Sequence, residues 1–223
     1  MNPEPNDPNA AAPFASVRRS MVKEQLQDRG VTDRRVLEAM RTVPRHEFVP
    51  EHLREVSYDD CALPLDHGQT ISQPFIVAFM TEELELQPEH RVLEIGTGCG
   101  YQTAVLSLLA KEVFSIEIIE PLAQEAEQRL QRLGFTNVQV RCGDGHLGWP
   151  EQAPFDAVIV TCAPESIPAP LVEQLREGGR MMIPVGARGV QELILLTKED
   201  GSLRQTKTMQ VRFVPMTGVE DPS

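Results

Sequence analysis

Hydrophobic positions follow two different periods along this chain. In the first 85 or so residues they recur at helical spacing, at Val17, Met21 and Leu26, and then past Gly30 at Val36, Leu37 and Met40. This predicts two short helices, with Thr32 capping the second. Pro44, Pro50 and Pro64 break up the next stretch and predict short elements that can cap a site. Pro74 then opens a third helix carrying Phe75, Ile76, Phe79, Met80 and Leu84, with Ser72 or Gln73 at its start. From residue 91 onward the apolar residues gather into short, nearly continuous runs at 92–95, 112–117, 137–142, 155–161 and 180–185. Helical stretches separate them, including 121–133, stopped by Gly134, and 167–176, stopped by Gly178-Gly179. Strands buried on both faces of a parallel sheet read this way, and the alternation predicts an α/β fold, an open doubly wound sheet with right-handed crossovers. Two more strands, at 192–197 and 206–215, flank the polar turn Lys198-Glu199-Asp200-Gly201 as an antiparallel addition. The expected organisation is a disordered leader over 1–15 and one domain over 16–223. Within it, 16–88 is a helical cap, 89–197 the ligand-binding core and 198–223 a closing segment.

The densest chemistry lies where the run Val92-Leu93-Glu94-Ile95 breaks into Gly96-Thr97-Gly98-Cys99-Gly100 and then resumes as a helix. Glycines at such a corner accept positive φ and let the backbone approach a ligand. A dinucleotide fingerprint needs glycine at 101, where Tyr101 stands, so a pyrophosphate site is disfavoured. Glu94-x-Gly96-x-Gly98-x-Gly100 is instead the form associated with S-adenosylmethionine (AdoMet) enzymes. Glu117 ends the next strand about 20 residues beyond Gly96, where a carboxylate can accept both ribose hydroxyls; the alternative is an ordinary helix-start charge. Asp144, between Gly143 and Gly145, can accept from an adenine amino group, or can belong to a plain turn. Ser72 fits an N-cap as well as an active site on spacing alone.

Composition narrows the partners. A length of 223 residues suits one domain with a sizeable core, and the net charge of -12 argues against nucleic acid and anionic membrane surfaces. Cys61, Cys99, Cys142 and Cys162 form no C-x-x-C pair, and their plain meaning is four buried, reduced thiols in a cytoplasmic protein. No apolar run spans a membrane and no signal sequence is apparent. G-x-S-x-G is absent, and His46, His52, His67, His90 and His146 form no hydrolase signature. Thr161-Cys162-Ala163-Pro164 replaces the Asn/Asp-Pro-Pro-aromatic sequence common in enzymes that methylate amino groups of bases.

Taken together, residues 17–217 resemble the protein-L-isoaspartate (D-aspartate) O-methyltransferase family. Four pieces carry the likeness: Gly68-Gln69-Thr70-Ile71-Ser72-Gln73-Pro74, the run 92–101, Gly143-Asp144-Gly145 with Gly178-Gly179-Arg180, and Val211-Arg212-Phe213-Val214-Pro215-Met216-Thr217. The Thr-Ile-Ser-x-Pro segment is the specific one. Phe75 and Val77 stand where animal members carry histidines, so the chain is similar to the bacterial form. The resemblance implies a class I AdoMet-dependent methyltransferase fold (Rossmann-like), AdoMet as methyl donor leaving S-adenosylhomocysteine, and transfer onto the α-carboxylate of L-isoaspartyl residues in damaged proteins. D-aspartyl residues are left open as further acceptors. It makes Ser72 the residue that aims the carboxylate, with Thr70, Ile71 and Thr217 on the substrate side. Glu94, Gly96, Thr97, Gly98, Glu117, Asp144, Gly145 and Thr161 are then the cofactor residues, with Glu94 orienting the glycine turn, Gly96 and Gly98 at the methionine end, Glu117 on the ribose, and Asp144 and Gly145 at the adenine end. A carboxylate acceptor needs no general base, so orientation is the main task of such a site, worth roughly 7 to 11 kcal/mol. No metal is implied, and a monomer is expected. The competing classes are a methyltransferase for a small-molecule acid, a non-catalytic AdoMet-binding module and, weakly, a nicotinamide-dependent dehydrogenase.

Overall fold

The structure, a computed structural model, describes residues 14–187 and 189–218, with 207 and 208 as backbone only. Most of the expected leader lies outside these residues. Phe14, placed at its end by sequence, packs against the rings of His46 and Tyr58, and helix α1 (Ala15–Ser20) follows directly. It runs on through a π-helical turn, Met21–Leu26, which buries Met21, Val22 and Leu26 while Val17 stays exposed. Helix α2 (Arg34–Thr42) is capped by Asp33, whose side chain accepts the Arg35 N–H; Thr32 is not the cap. Thr32 instead joins Asp33 in donating its backbone N–H to Glu82 Oε1. Either residue type suits the position, and the Glu82 carboxylate, supplied from far along the chain, decides between them.

Between Pro44 and Pro64 only 3-10 turns form, at Arg45–Phe48 and Glu51–Val56, as closely spaced prolines require. A two-residue hairpin of β1 (Leu63–Pro64) and β2 (Thr70–Ile71) then leads into α3 (Pro74–Glu83). Gln73 is the N-cap of α3 and no side chain caps it, so the capping explanation for Ser72 does not hold.

The core alternates as expected: β3 (Arg91–Ile95), α4 (Tyr101–Ser107), β4 (Glu112–Glu117), α5 (Glu120–Arg132), β5 (Val138–Cys142), β6 (Phe155–Val160), α6 (Ala169–Gln174) and β7 (Leu175–Val185). Two long strands, β8 (Gln191–Glu199) and β9 (Ser202–Val211), complete a seven-stranded sheet ordered β5-β4-β3-β6-β7-β8-β9. It is parallel from β5 to β7 and antiparallel through β8 and β9. The pleat sorts side chains onto two faces. Val92, Val113, Ala157, Ile159 and Met182 pack under the N-terminal helices and α4. Leu93, Phe114, Val158, Val160 and Met181 pack with Leu171 of α6. Each large apolar side chain buried this way contributes about 1.5–3 kcal/mol.

Several boundaries differ from the sequence pattern, among them the starts of β7, at Leu175 and not 180, and of β9, at Ser202 and not 206. Helix α6 ends at Gln174, where Leu175 turns extended, and the Gln174 side chain donates to Leu147 O and accepts the Trp149 N–H. Gly178-Gly179 therefore lies inside β7, at an irregularity that pairs Leu175 with Phe155 and Arg180 with Ala157. A Cβ on Gly179 would lie 2.8 Å from Arg176 O and 3.0 Å from Asp156 O. Strand β9 also ends at Val211 rather than 215. Gln191 clamps Phe213 at both backbone groups, and Ala163 accepts the Met216 N–H and donates to Val214 O, both at 2.8 Å. The strand is diverted here and strapped across the carboxyl end of β6. Among the described residues no helix is long and apolar enough to cross a membrane.

Candidate active site

At the switch point, where β3 has β4 on one side and β6 on the other, the backbone turns away from the sheet and leaves a crevice. The glycine turn is held there from both sides. The N–H groups of Gly96 and Thr97 donate to Ile116 O, and that of Gly98 donates to Glu117 Oε2 at 2.8 Å. Across the gap, Thr161 Oγ1 stands 3.0 Å from Ile95 O and 2.6 Å from Gly96 O. Gly96 has φ +95°, and a Cβ there would meet Thr161 Oγ1 at 2.5 Å, so both conformation and contact exclude other residues.

The crevice opens into a cleft of about 800 Å³. Of the sequence-predicted site residues, Thr70, Ile71, Ser72, Gly96, Thr97, Gly98, Glu117, Gly145, Thr161 and Thr217 line it together. They come from hairpin strand β2 and its exit, the glycine turn, the end of β4, the loop after β5, the end of β6 and the C-terminal strap. Ser72 Oγ has no hydrogen-bond partner among the described residues, so the hydroxyl is available to a ligand. A second cleft of about 830 Å³ shares Thr70, Ser72, Thr161 and Val214 with the first and extends along Asp60, Cys61 and residues 210–213. Ser72 thus stands where the two meet.

Glu94 and Asp144 do not line the cleft. Glu94 is fully buried beneath the turn, where its Oε2 accepts from Thr103 Oγ1 at 2.5 Å and Ser115 Oγ at 2.7 Å. Ser115 Oγ lies 2.6 Å from Thr97 Oγ1, so Glu94 reaches the cleft wall only through two hydroxyls. Burial raises its carboxyl from 4.5 to about 8, with the two hydroxyl bonds opposing the rise. Asp144 Oδ1 accepts the His146 N–H and contacts His146 Nδ1 at 2.9 Å, capping the Gly145–Leu147 turn. That cap brings Gly145 to the cleft. A Cβ on Gly145 would lie 2.3 Å from Ile95 Cγ2 and 3.1 Å from Met216 Cε.

Glu117 is 5% exposed and lines the cleft at the end of β4, beside the start of the next helix. One oxygen starts the next helix by accepting the Ile119 N–H at 3.0 Å, while the other holds Gly98.

Sequence spacing did not point to the apolar wall of Ile95, Ile116 and Ile118, to Gln102, or to Cys99 and Cys162. The three isoleucines were visible only as apolar residues in or just beyond a strand. Of the four cysteines expected to be buried, Cys99 is buried and Cys162 partly so, while Cys61 and Cys142 are exposed. Burial pushes the Cys162 thiol up to about 12 and raises Cys99 as well, which favours the neutral thiol at both. A flat, partly apolar ligand with a ribose-like diol fits this combination of closely approached backbone, one carboxylate and an isoleucine wall.

The buried Glu94 carboxyl gives a sign-specific test. Its folded value lies above its unfolded one, so the wild type loses stability as pH rises from about 4.5 to about 8. Glu94→Gln ionises in neither state. Its stability relative to wild type should therefore improve by about 1.4 kcal/mol per pH unit across that window and then level off. Urea unfolding of both proteins at several pH values reads this, and a pH-independent difference contradicts it. Gly96→Ala should weaken AdoMet binding at least about tenfold in calorimetric titration, through left-handed strain and the Thr161 contact.

Known proteins match this arrangement over nearly the whole chain. The family model described as protein-L-isoaspartate(D-aspartate) O-methyltransferase matches residues 17–221. A protein-L-isoaspartate O-methyltransferase of Synechococcus sp. is 54% identical over 220 residues, covering 96% of this chain and 90% of the relative. One from Opitutus terrae is 57% identical over 201 residues, covering 90% and 86%. A solved protein-L-isoaspartate O-methyltransferase superposes with TM-score 0.82 at 32% identity, covering 90% of this chain and 66% of that one. A Plasmodium falciparum structure, described as a candidate protein-L-isoaspartate O-methyltransferase in complex with S-adenosyl-L-homocysteine, gives TM-score 0.79 at 25% identity, covering 90% and 98%. With both sequence relatives bacterial, as Phe75 and Val77 suggest, the chain belongs to the protein-L-isoaspartate(D-aspartate) O-methyltransferase family.

Proposed function

We propose that this protein transfers a methyl group from AdoMet to the α-carboxylate of L-isoaspartyl residues in damaged proteins and peptides, the first step of their repair. The observation that carries it is the meeting of Thr70-Ile71-Ser72 with the glycine turn and Glu117 in one cleft. AdoMet supplies an electrophilic methyl on a sulfonium sulfur, which leaves as S-adenosylhomocysteine.

The protein's own residues bind, orient and exclude water. Glu117 accepts from the ribose hydroxyls with the lone pairs not used on Gly98 and Ile119. Gly96, Thr97, Gly98 and Thr161 form the methionine end, and Gly145, held by Asp144, forms the adenine end. Glu94 acts from beneath by fixing the turn. On the acceptor side the carboxylate is ionised at neutral pH, and a general base would add nothing. Ser72 donates one hydrogen bond to it, with Thr70 and Ile71 beside it and Thr217 closing the opposite side. A neutral hydroxyl aims the carboxylate without suppressing its nucleophilicity as an ion pair would. The second cleft, lined by the turn before β1, the segment from Thr70 to Ile76, and the end of β9 with the strap, suits an extended peptide read mainly through its backbone, as many different damaged sites require. Included in this proposal are a monomeric state and a cytoplasmic location, and the net charge of -12 supports working without nucleic acid or an anionic membrane surface.

The decisive assay compares methyl transfer to an isoaspartyl peptide and to its aspartyl twin. Strong preference for the isoaspartyl peptide is expected, and equal or absent transfer to the two overturns the assignment. Ser72→Ala should lower kcat by about tenfold or more, a loss of about 1.4 kcal/mol of transition-state stabilisation per decade, with AdoMet affinity within about threefold. Unchanged turnover would remove Ser72 from the mechanism.

A further inference from the structure

Arg45 does not line the cleft, yet it ties together the segments that form it. Its side chain is fully buried, and among the described residues no carboxylate pairs with it. Nε donates to Ser57 O at 2.6 Å and Nη2 to Ser72 O at 2.8 Å, while Nη1 has no partner. The guanidinium carbon lies 4.8 Å from the centre of the Tyr101 ring, which lines the cleft and is held on another side by Phe48, edge-on at 5.5 Å. A buried cation without a counter-ion is unfavourable, and an apolar side chain of similar length would fill the same space. Packing alone therefore does not explain an arginine here. What the guanidinium adds is a rigid planar fork able to hold two carbonyls and stack on a ring at once.

The Ser72 carbonyl has good reason to be held. Ser72 lies between two held segments: the hairpin pairing ends at Ile71, and the next residue, Gln73, is the N-cap of α3, where its O accepts the Val77 N–H at 3.2 Å and its Nε2 donates to Asp60 at the exposed surface at 2.8 Å. We infer that Arg45 is a positioning residue for methyl transfer: by fixing the Ser72 carbonyl relative to Tyr101, it sets where the Ser72 hydroxyl stands over the donor pocket. This rests on the aiming role proposed for Ser72. A misplacement of about 1 Å in such a site can cost about a hundredfold in rate, so a residue without substrate contact can matter greatly.

The test uses the full chain with Arg45→Lys and Arg45→Met, reading kinetics on an isoaspartyl peptide, AdoMet affinity by calorimetry, and hydrogen exchange of a peptide covering residues 69–74. Lysine keeps the charge but cannot span both carbonyls. Expected for both variants are a cooperative thermal transition, AdoMet Kd within about threefold of wild type, exchange at 69–74 faster by about tenfold, and kcat lower by about tenfold or more, with a smaller change in KM. Wild-type exchange and kcat in either folded variant would overturn the inference. So would a fall in AdoMet affinity matching the fall in rate, or failure of both variants to fold, since each makes Arg45 a residue of general stability. If the wild type itself shows no isoaspartyl activity, the functional assignment fails, and the exchange rates alone decide whether Arg45 holds the segment.

Discussion

The structure depends on one close approach, that of the Gly96 backbone to the end of β6. Thr161 Oγ1 touches the carbonyls on both sides of the β3 exit, and the turn's amide hydrogens are spent on Ile116 and Glu117 of β4. With its polar groups satisfied by the strands on either side, the turn lies flat against the sheet end, and the space above it stays open for a ligand. A side chain at position 96 would close that approach. Glu94, buried below and bonded to Thr103 and Ser115, fixes the strand from the other direction.

Around this corner the chain builds the acceptor side from pieces far apart in sequence. Prolines prevent long helices between residues 44 and 64, so the cap reaches the cleft as short turns ending in the β1–β2 hairpin. The C-terminal strap arrives from the opposite side after β9 is diverted by Gln191 and caught by Ala163. The segment before α3 is tied to the wall of the first cleft through Arg45, which donates to Ser72 O and lies over the Tyr101 ring. Such a tie suits a reaction whose nucleophile is already ionised and whose difficulty is alignment.

Much of this was legible in the sequence because it is local. The apolar runs of the core, the glycine corner and the acid at the end of β4 each follow from short-range patterns with a physical reason. The resemblance of the Thr70-Ile71-Ser72 segment and the strap pointed to the acceptor side. The features that could not be read depend on contacts between distant segments. Asp144 stands in a motif that suggests ligand contact, but it turns to cap its own loop. Glycines 178 and 179 look like a helix stop, but α6 ends before them at Gln174 and they lie inside β7, where Gly179 fits a crowded approach to Arg176 O and Asp156 O. Arg45 carried no signal at all, since neither Ser57 nor Ser72 is near it in sequence.

The central claim is geometric: the acceptor carboxylate is aimed by Ser72 across a pocket built on the glycine corner. A crystal structure of the protein with S-adenosylhomocysteine and an isoaspartyl peptide tests it most directly. The expected result places a carboxyl oxygen about 3 Å from Ser72 Oγ, facing the sulfur, with the ribose on Glu117. A carboxylate bound elsewhere, or a cofactor seated away from Gly96 and Glu117, would contradict it.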